Sequence, residues 1–508
     1  MSKKHYEVLI IGGGISGAAL AYELARYTDV KSIGIVEKYE GIGTLNTKGT
    51  SNSQTIHFGD IETNYTAQKA KITKRTAKMV ERYCLQYHYE NDIIFSHQKM
   101  ALGVGDEEVE FMLNRYDEFS ELFPGLEVWD KEKLKELEPS LVYKEDGSVR
   151  EENIVGIGSR GEWTTVDYEK MAISLIDNAK KEEDTKVELY VNQEIKEIVT
   201  LKEGGYRALS QDGTEYSADF VVVDAGAHSL FLAHKMGFGL DYGCLPIAGS
   251  FYMTTQTMLN GKVYMVQNPK LPFAALHGDP DILAGGLTRF GPTALVLPKL
   301  ERFKPGTYMD FWKTLRFDTK IVKIFWDLLK ESDIRSYIFR NFLFEVPGIN
   351  KGLFVQDARK IVPSLKTEDI EYAQGFGGVR PQVLNKTEKK LMLGEASIDT
   401  EKGIIFNMTP SPGATSCLGN AERDVKKVCA FLGKTFNEAK FAEELIEPES
   451  CVLMDPIEAQ KKYASRLRDE IHAMEEKNYI DLHDILEIPD YWEEPYNPWI
   501  NRKDSWGM

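Results

Sequence analysis

The first forty residues carry a hydrophobic pattern that predicts a strand, a helix and a second strand in succession. An apolar run at residues 8–11 is typical of a buried parallel strand. Residues 18–27 have a helical pattern whose alanines allow close packing against a strand. A second apolar run at residues 32–36 ends at Glu37. We therefore expect the chain to begin with the βαβ unit of a parallel α/β sheet.

The turn between the first strand and the helix contains the motif G-x-G-x-x-G at Gly12, Gly14 and Gly17. The first glycine suits a tight turn, the second lets the backbone approach a pyrophosphate, and the third lets the helix pack on the strand. The helix N-terminus then offers N–H groups and a positive dipole to the phosphates. Glu37, twenty residues after Gly17, is placed to accept hydrogen bonds from a ribose. The unit thus predicts a bound dinucleotide, either FAD or NAD.

The rest of the chain alternates between helical and strand-like patterns. Helical patterns lie at residues 62–89, 103–123, 130–139, 168–180 and 307–344 and from residue 421, and strand patterns lie at 187–191, 195–201, 206–210, 220–223, 239–291 and 375–394. Loops suited to a close ligand approach return at residues 41–59, 224–227 and 407–420. Because long insertions separate these loops, we expect one dinucleotide-binding domain that is discontinuous in sequence.

The domain boundaries follow from this spacing. We assign residues 1–65, 150–235 and 375–447 to a Rossmann-type domain, and residues 66–149 and 236–374 to an inserted mixed-sheet substrate domain capped by helices. Residues 448–508 form an acidic tail that is rich in Trp and Tyr. The expected fold class is α/β, with α+β character overall.

Composition and charge narrow the function and the compartment. The 508-residue chain has 42% hydrophobic and 28% charged residues, which is ordinary for a soluble globular protein. Its net charge of −17 argues against nucleic acid as the main partner. The five cysteines form no C-x-x-C pair and no metal-ligand spacing, so we expect a reduced, cytoplasmic setting and no metal site. We expect no signal peptide, and no apolar run reaches the roughly 18–20 residues that span a bilayer.

Four further motifs resemble those of the D-amino-acid oxidase-like FAD superfamily. They are TSNSQTIHFG at residues 50–59, DAGA at 224–227, GGVRPQ at 377–382 and SPGATS at 411–416. Within that superfamily, residues 57–66, TRFGPT at 288–293 and the turn that begins at residue 411 are similar to the malate:quinone oxidoreductase family. The resemblance covers about residues 6–445 and implies that the dinucleotide is FAD.

The resemblance also implies which residues contact FAD. The glycine turn, Glu37 and the motif loops would surround the cofactor. Beyond the three glycines and Glu37, the implied contacts are Ile15, Ser16, Lys38, Ser51, Asn52, Ser53, Gln54, Ile56, Ala225, Gly226, Gly378, Pro412, Gly413, Ala414, Thr415 and Ser416.

The family further implies that an α-hydroxy acid delivers a hydride to the flavin, so the site needs a group that binds a carboxylate. Arg380 lies in the GGVRPQ motif, on a turn that can hold a guanidinium for two parallel hydrogen bonds to a carboxylate. Arg289 is a candidate for the second carboxylate of a diacid. The structural alternatives are an ion pair for Arg380 and a surface position before a Gly-Pro turn for Arg289.

The reaction also needs a base for the hydroxyl proton. His277 is the first candidate, with Asp279 nearby to orient or charge it, because imidazole has a pKa near working pH. The alternative is a core histidine that satisfies a hydrogen bond. His57 is expected near the flavin, either as a second candidate base or as a packing group. Glu62 is expected to orient an arginine or the His57 ring.

The region 307–344 departs from the acidic background. Residues 299–340 hold ten Lys and Arg against six Asp and Glu. Lys313, Lys320 and Lys323 belong to a basic stripe at helical spacing, and Trp312 and Trp326 join an apolar stripe. An amphipathic basic helix with aromatic residues can lie on an anionic membrane, where a quinone is dissolved. The alternative is an ordinary helix with a solvated basic face.

These features predict FAD-dependent oxidation of (S)-malate to oxaloacetate, with the electrons passed to a membrane quinone. The enzyme would be peripheral on the cytoplasmic face of the inner membrane. The nearest alternative is an oxidase or dehydrogenase of another 2-hydroxy acid, such as L-2-hydroxyglutarate, and an amino-acid or amine oxidase is a more distant one. Outside the enzymes, the alternative is an FAD-binding scaffold.

Overall fold

The computed structural model describes residues 4–267, 276–392, 395–410, 412–448, 460–461, 464–469 and 471–472. Most of the acidic tail expected at residues 448–508 lies outside the described residues, and so does Ser411 of the SPGATS motif.

The first part of the chain builds elements of two different sheets. Its helices and strands are β1 (Lys4–Ile11), α1 (Ile15–Tyr27), β2 (Ser32–Val36), α2 (Ala67–Gln86), β3 (Ile94–Ser96), β4 (Lys99–Val104), α3 (Asp106–Phe119), β5 (Glu127–Trp129), α4 (Lys131–Leu137), β6 (Ile154–Ser159), β7 (Trp163–Val166) and α5 (Tyr168–Ala179).

The middle of the chain is mostly strands. It contributes β8 (Lys186–Tyr190), β9 (Ile195–Thr200), β10 (Tyr206–Ser210), β11 (Glu215–Val223), α6 (Ala227–Lys235), β12 (Tyr242–Ala248), β13 (Tyr252–Thr254), β14 (Lys262–Met265), β15 (His277–Pro280), β16 (Thr288–Gly291) and β17 (Leu295–Val296).

A helical stretch and a return to strands complete the described chain. Its elements are α7 (Tyr308–Leu315), α8 (Thr319–Lys330), α9 (Ser332–Leu343), α10 (Asn350–Ala358), β18 (Ile370–Tyr372), β19 (Val379–Asn385), β20 (Lys390–Met392), β21 (Ala396–Asp399), β22 (Ile404–Met408), α11 (Cys417–Leu432) and α12 (Glu438–Leu445).

The first large sheet has eight strands, of which β22, β11, β1, β2 and β8 run parallel in that order. The register pairs Ile11 with both Val36 and Val223, so three strands end at the same edge of the sheet. Open parallel sheets bind dinucleotides at such an edge. The helices α1, α5 and α11 pack together beside this sheet. The predicted Rossmann-type α/β fold is confirmed.

The second large sheet also has eight strands, in the order β18–β13–β16–β15–β14–β4–β6–β5, and a third has four, β17–β12–β19–β20. Strand β6, expected in the dinucleotide domain, pairs with β4 and β5 in the second sheet. Helix α2, expected in the substrate domain, packs against α12 and against α11, which lies beside the first sheet. The expected boundaries at residues 66 and 150 therefore do not coincide with the points where the chain passes between the first and the second large sheet with their helices.

The helical region expected at 307–344 consists of three helices and not of one continuous amphipathic helix. Arg316 ends α7 in the left-handed conformation, with φ of +48°. The Asp318 carboxylate then accepts the N–H groups of Lys320 and Ile321 and caps α8. The basic stripe is thereby divided at residues 316–318. In the part of the chain that the structure describes, no helix combines the length and the apolar character needed to cross a bilayer.

Candidate active site

A cavity of about 490 Å³ opens at the carboxyl edge of the parallel strands. Its wall is formed by the turn after β1, the end of β2, the loop after β2, the start of α6 and the turns that precede β19 and α11. Most of the residues implied to contact FAD line this cavity. They are Gly12, Gly14, Ile15, Ser16, Glu37, Lys38, Ser51, Asn52, Ser53, Ala225, Gly226, Gly378, Pro412, Gly413, Ala414 and Thr415.

The glycine turn brings the N-terminus of α1 to the cavity wall. Gly12 has φ of +117°, and a Cβ atom there would lie 2.3 Å from the Asp224 carbonyl oxygen. A Cβ atom at Gly17 would lie 2.1 Å from the Gly12 carbonyl oxygen. Both positions therefore require glycine if the helix is to start directly at the strand end. The resulting geometry suits a pyrophosphate, which favours the N–H groups and the dipole at a helix start.

Glu37 is fixed at the end of β2 on the same wall. Its carboxylate accepts the Gly13 N–H at 2.7 Å and the Tyr39 N–H at 2.8 Å. Burial raises the pKa of Glu37, and these two hydrogen bonds oppose that shift. The adjacent Lys38 ammonium lies 3.0 Å from Glu301 Oε1. A carboxylate held in this way is a ready acceptor for ribose hydroxyls.

Four implied cofactor contacts do not line the cavity. Gly17 packs inside the turn, and Ser416 lies beyond the wall at the start of α11. Gln54 and Ile56 are both fully buried. Ser53, Thr55 and His57 face the cavity. Gln54 turns the other way, and its amide donates to the Gly49 carbonyl oxygen and to Asp281 Oδ1.

His57 lines the cavity and is paired with Glu62. The two groups are joined by a contact of 2.5 Å between His57 Nδ1 and Glu62 Oε1. The other Glu62 oxygen accepts the Gly59 N–H at 2.8 Å, which fixes the carboxylate. Burial acts to raise the pKa of Glu62, but the hydrogen bond and charge of His57, with Lys99 nearby, lower it below its ordinary value. Glu62 therefore orients the His57 ring as a carboxylate.

Arg380 lies on β19, paired with Ile247 of β12, and it lines the cavity. The preceding turn is tightly packed, since a Cβ atom at Gly377 would lie 1.7 Å from the Gly249 carbonyl oxygen. At Gly378 a Cβ atom would lie 2.8 Å from Asn46 Oδ1. Burial lowers the pKa of the Arg380 guanidinium from its ordinary value. Among the described residues that line the cavity, it is the one arginine.

The other expected catalytic residues are not among the described residues of the cavity wall. His277 is buried and stacks on Tyr264, with ring centroids 4.2 Å apart, and its Nε2 is 3.8 Å from Asp279 Oδ1. That distance is too long for a hydrogen bond. Arg289 is fully buried, and its Nη1 lies 2.9 Å from Asp281 Oδ2. The geometry thus gives Arg289 a carboxylate of this chain as its partner, against the expected role with a substrate.

Sequence reasoning missed several residues around this site. The Tyr264 ring meets the His57 ring edge to face at 6.1 Å, and its hydroxyl lies 2.9 Å from Thr55 Oγ1. The Tyr168 hydroxyl donates to the Thr55 carbonyl oxygen at 3.0 Å and lines the cavity. Asp281 could have been found, because it continues the acidic alternation that begins at Asp279. The tyrosines carry no such signal, since both occur in ordinary strand and helix patterns.

The parallel sheet, with its glycine turn at the cavity wall, places the protein in the class of Rossmann-type dinucleotide-binding folds. L-α-glycerophosphate oxidase from Mycoplasma pneumoniae with FAD bound has the same fold, with a TM-score of 0.57 and 18% identity over 88% of this chain and 97% of that chain.

Sequence comparison gives the family. The chain belongs to the malate:quinone oxidoreductase family, whose model matches residues 4–445. A probable malate:quinone oxidoreductase from Campylobacter jejuni is 58% identical over 450 residues, which are 88% of this chain and 100% of that protein. A malate:quinone oxidoreductase from Helicobacter pylori is 48% identical over 447 residues, which are 87% of this chain and 98% of that protein.

Proposed function

We propose that this protein oxidises (S)-malate to oxaloacetate with FAD and passes the electrons to a membrane quinone. The observation that carries the proposal is that Arg380 and His57 line the same cavity as the dinucleotide-binding turn, with Glu62 paired to His57 behind the wall. Family membership over residues 4–445 supports malate as the hydroxy acid and a quinone as the acceptor.

The cavity wall fits FAD. The N-terminus of α1 would hold the pyrophosphate, Glu37 would bind the ribose, and residues 51–53 and 412–415 would contact the remainder. Gly12 has no room for a Cβ atom, so the turn after β1 packs closely against the end of β11 at Asp224. When bound, FAD supplies the acceptor for a hydride from carbon.

Arg380 would bind the carboxylate next to the reacting carbon. Its guanidinium can form two parallel hydrogen bonds, which fix both the position and the rotation of a carboxylate. The tightly packed turn before it fixes the backbone from which the guanidinium extends. Arg380 would therefore orient the C2 hydrogen of the substrate toward the cofactor.

His57 would take the hydroxyl proton. If Nδ1 donates to Glu62, then Nε2 is the ring atom left to accept a proton. The imidazolium that forms is stabilised by the Glu62 carboxylate, which is held by the Gly59 N–H. Glu62 thus sets both the tautomer of the base and the charge beside it.

Turnover distinguishes malate from the alternatives. With a soluble quinone analogue as acceptor, we expect kcat/KM to be highest for (S)-malate and much lower for L-2-hydroxyglutarate, (R)-malate and amino acids. A preference for L-2-hydroxyglutarate would retain the fold and the cofactor but replace the substrate. Stoichiometric FAD with no turnover of any of these compounds would favour the scaffold.

Asp224 makes FAD retention depend on pH. It lines the cavity and accepts the Asn407 amide at 3.0 Å. Burial, with the nearby Asp424 carboxylate, raises the pKa of Asp224 to about 7. Because the pKa is higher in the folded protein than in the unfolded chain, the protonated Asp224 side chain stabilises the folded protein. This contribution is complete below the unfolded-state pKa of about 4 and is lost as the pH rises through the folded-state pKa of about 7. The ionised form would also repel a pyrophosphate.

We therefore expect FAD to dissociate several-fold faster at about pH 8.5 than at about pH 6, as followed by flavin fluorescence after dilution of the holoenzyme. Asp224→Asn should abolish this pH dependence, because its side chain stays neutral. An unchanged pH dependence in the variant would assign it to another group.

An apolar surface on α7–α9 and their flanking segments supports a membrane partner. Eleven of the nineteen exposed large apolar side chains in the described part of the chain lie between residues 303 and 349. They are Phe303, Tyr308, Met309, Trp312, Phe317, Val322, Trp326, Leu329, Phe339, Phe342 and Ile349. Lys313, Lys320 and Lys323 are exposed on the same helices. Apolar surface with basic neighbours suits peripheral binding to an anionic leaflet such as the cytoplasmic face of the inner membrane.

Vesicle co-sedimentation tests this surface. The protein should bind vesicles with anionic lipid better than zwitterionic ones. Lys320→Glu with Lys323→Glu should weaken that binding more than tenfold, because each basic residue near the surface contributes about 1 kcal/mol and reversal also adds repulsion. Trp326→Asp should weaken binding to both vesicle types.

The matched control is Ile173→Asp on α5, where an exposed apolar side chain lies outside the surface. Equal binding of all variants would exclude the surface.

A further inference from the structure

A row of four charged side chains crosses the second large sheet on one face. Lys99 is opposite Lys262 in the register of β4 and β14, and Asp279 is opposite Arg289 in β15 and β16. The register of β14 and β15 brings Lys262 beside Asp279. Residues that are opposite each other in adjacent strands share a face of the sheet. All four side chains are at most 1% exposed.

This row contacts the back of the loop that forms the cavity wall. Lys262 Nζ lies 3.5 Å from the Ser53 carbonyl oxygen. Arg289 Nη1 lies 3.3 Å from the Gly49 carbonyl oxygen. Residues 51–53 of the same loop line the cavity, whereas the charged row does not. The carbonyl groups at both ends of this loop segment therefore point toward the sheet.

Arg289, Asp281 and Gln54 connect the row to the loop most closely. Asp281 Oδ2 pairs with Arg289 at 2.9 Å, and Asp281 Oδ1 accepts the Gln54 amide at 3.1 Å. The same Gln54 amide donates to the Gly49 carbonyl oxygen at 3.2 Å. Gln54 has φ of +55°, which is uncommon for a residue other than glycine. The network therefore holds a loop conformation that the local sequence does not favour.

Stability alone does not account for this network. A buried ion pair often contributes no more to folding than well-packed apolar side chains of the same volume. The charges of this network, however, lie behind the loop that lines the cavity. The low dielectric of the protein interior lets them act over a longer distance than in water. The pair is therefore placed to influence both the position of the loop and the electrostatic potential behind it.

We propose that Arg289 and Asp281 are positioning residues for FAD, which hold the loop 49–54 against the flavin and balance the charge behind it. The inference rests on the proposed flavin function. It replaces a substrate-binding role for Arg289 and predicts which way each charge influences the cofactor. A positive charge stabilises the electron-rich reduced flavin, and a negative charge destabilises it.

The test compares Arg289→Gln with Asp281→Asn in the holoenzyme, using dye equilibration to measure the midpoint potential of the flavin. Arg289→Gln leaves Asp281 without its cation and should lower the potential. Asp281→Asn leaves Arg289 without its anion and should raise it. Both variants should release FAD at least tenfold faster than the wild type, while KM for malate changes less than threefold. Arg207→Gln on β10, a surface arginine 3.4 Å from Glu215, is the control.

Potential shifts of the same sign in both variants would overturn the proposal, because a merely disturbed loop does not distinguish the two charges. So would a large increase in KM for malate with an unchanged potential and FAD release, which would make Arg289 a substrate ligand. If Arg289→Gln does not fold, Gln54→Leu removes the loop side of the network and should accelerate FAD release with Arg289 in place. Protein that folds without any flavin would instead refute the proposed function itself.

Discussion

Arg380→Ala should lower kcat/KM for (S)-malate by roughly 10²–10³-fold, mostly through a higher KM. A bidentate charge-assisted pair in a site shielded from water is worth about 3–4 kcal/mol, and each 1.4 kcal/mol is a factor of ten. Arg380→Lys should recover only part of the loss, because an ammonium cannot reproduce two parallel hydrogen bonds. Steady-state kinetics with a soluble quinone analogue measures both parameters.

The surface variant Arg207→Ala controls for the loss of an arginine that does not line the cavity. FAD content should be unchanged in Arg380→Ala, since the dinucleotide turn is untouched. Wild-type KM and kcat in Arg380→Ala would remove the substrate-binding role and revive the scaffold alternative.

His57→Gln should lower the rate of flavin reduction by roughly 10²–10⁴-fold, which is the usual contribution of a general base. Glutamine retains polarity and similar length but cannot accept the hydroxyl proton. Stopped-flow reduction of the flavin by (S)-malate under anaerobic conditions isolates this step from quinone reduction. A rate within threefold of the wild type would show that another group takes the proton.

The variant Glu62→Gln distinguishes two roles of Glu62, which are to orient the His57 ring and to strengthen His57 as a base. The amide can still accept from His57 Nδ1, but it does not stabilise an imidazolium, so the rate should fall less than in His57→Gln. Because the pKa of Glu62 is lowered in the folded protein, its pairing with His57 stabilises the folded protein at pH values above the ordinary carboxyl pKa. That contribution is lost as pH falls through the lower folded value, so the variant should lose less stability on acidification than the wild type.

The βαβ unit and the cavity wall are largely predictable from the sequence. Gly12 and Gly17 occur where backbone contacts leave no room for a Cβ atom, so their spacing carries the geometry directly. Glycine turns separate β9 from β10 and β10 from β11. The strands β8 to β11 form within one residue of expectation except at the start of β11, which begins at Glu215 and not at residue 220. The place of Arg380 on the cavity wall is predictable because its motif is local, with the packed glycine turn and the arginine adjacent in sequence.

The remaining part of the site depends on contacts that sequence proximity does not reveal. His277 and Asp279 are neighbours along β15 and suggested a catalytic pair, yet Tyr264 from another strand stacks on the imidazole. Arg289 was expected to meet a substrate, and its partner Asp281 directly follows β15, the opposite strand of the hairpin. The division of the 307–344 region depends on Arg316 adopting a left-handed conformation, which residue propensities do not favour. Tertiary pairing decides each of these cases.

Anaerobic reduction of the bound flavin by (S)-malate tests the central proposal most directly. We expect fast bleaching of the flavin absorbance on adding (S)-malate, and full recovery on adding a quinone analogue in the absence of oxygen. Slow or absent bleaching by (S)-malate, with fast bleaching by L-2-hydroxyglutarate or an amino acid, would contradict the assignment of the substrate. Purified protein without flavin absorbance would contradict the whole account.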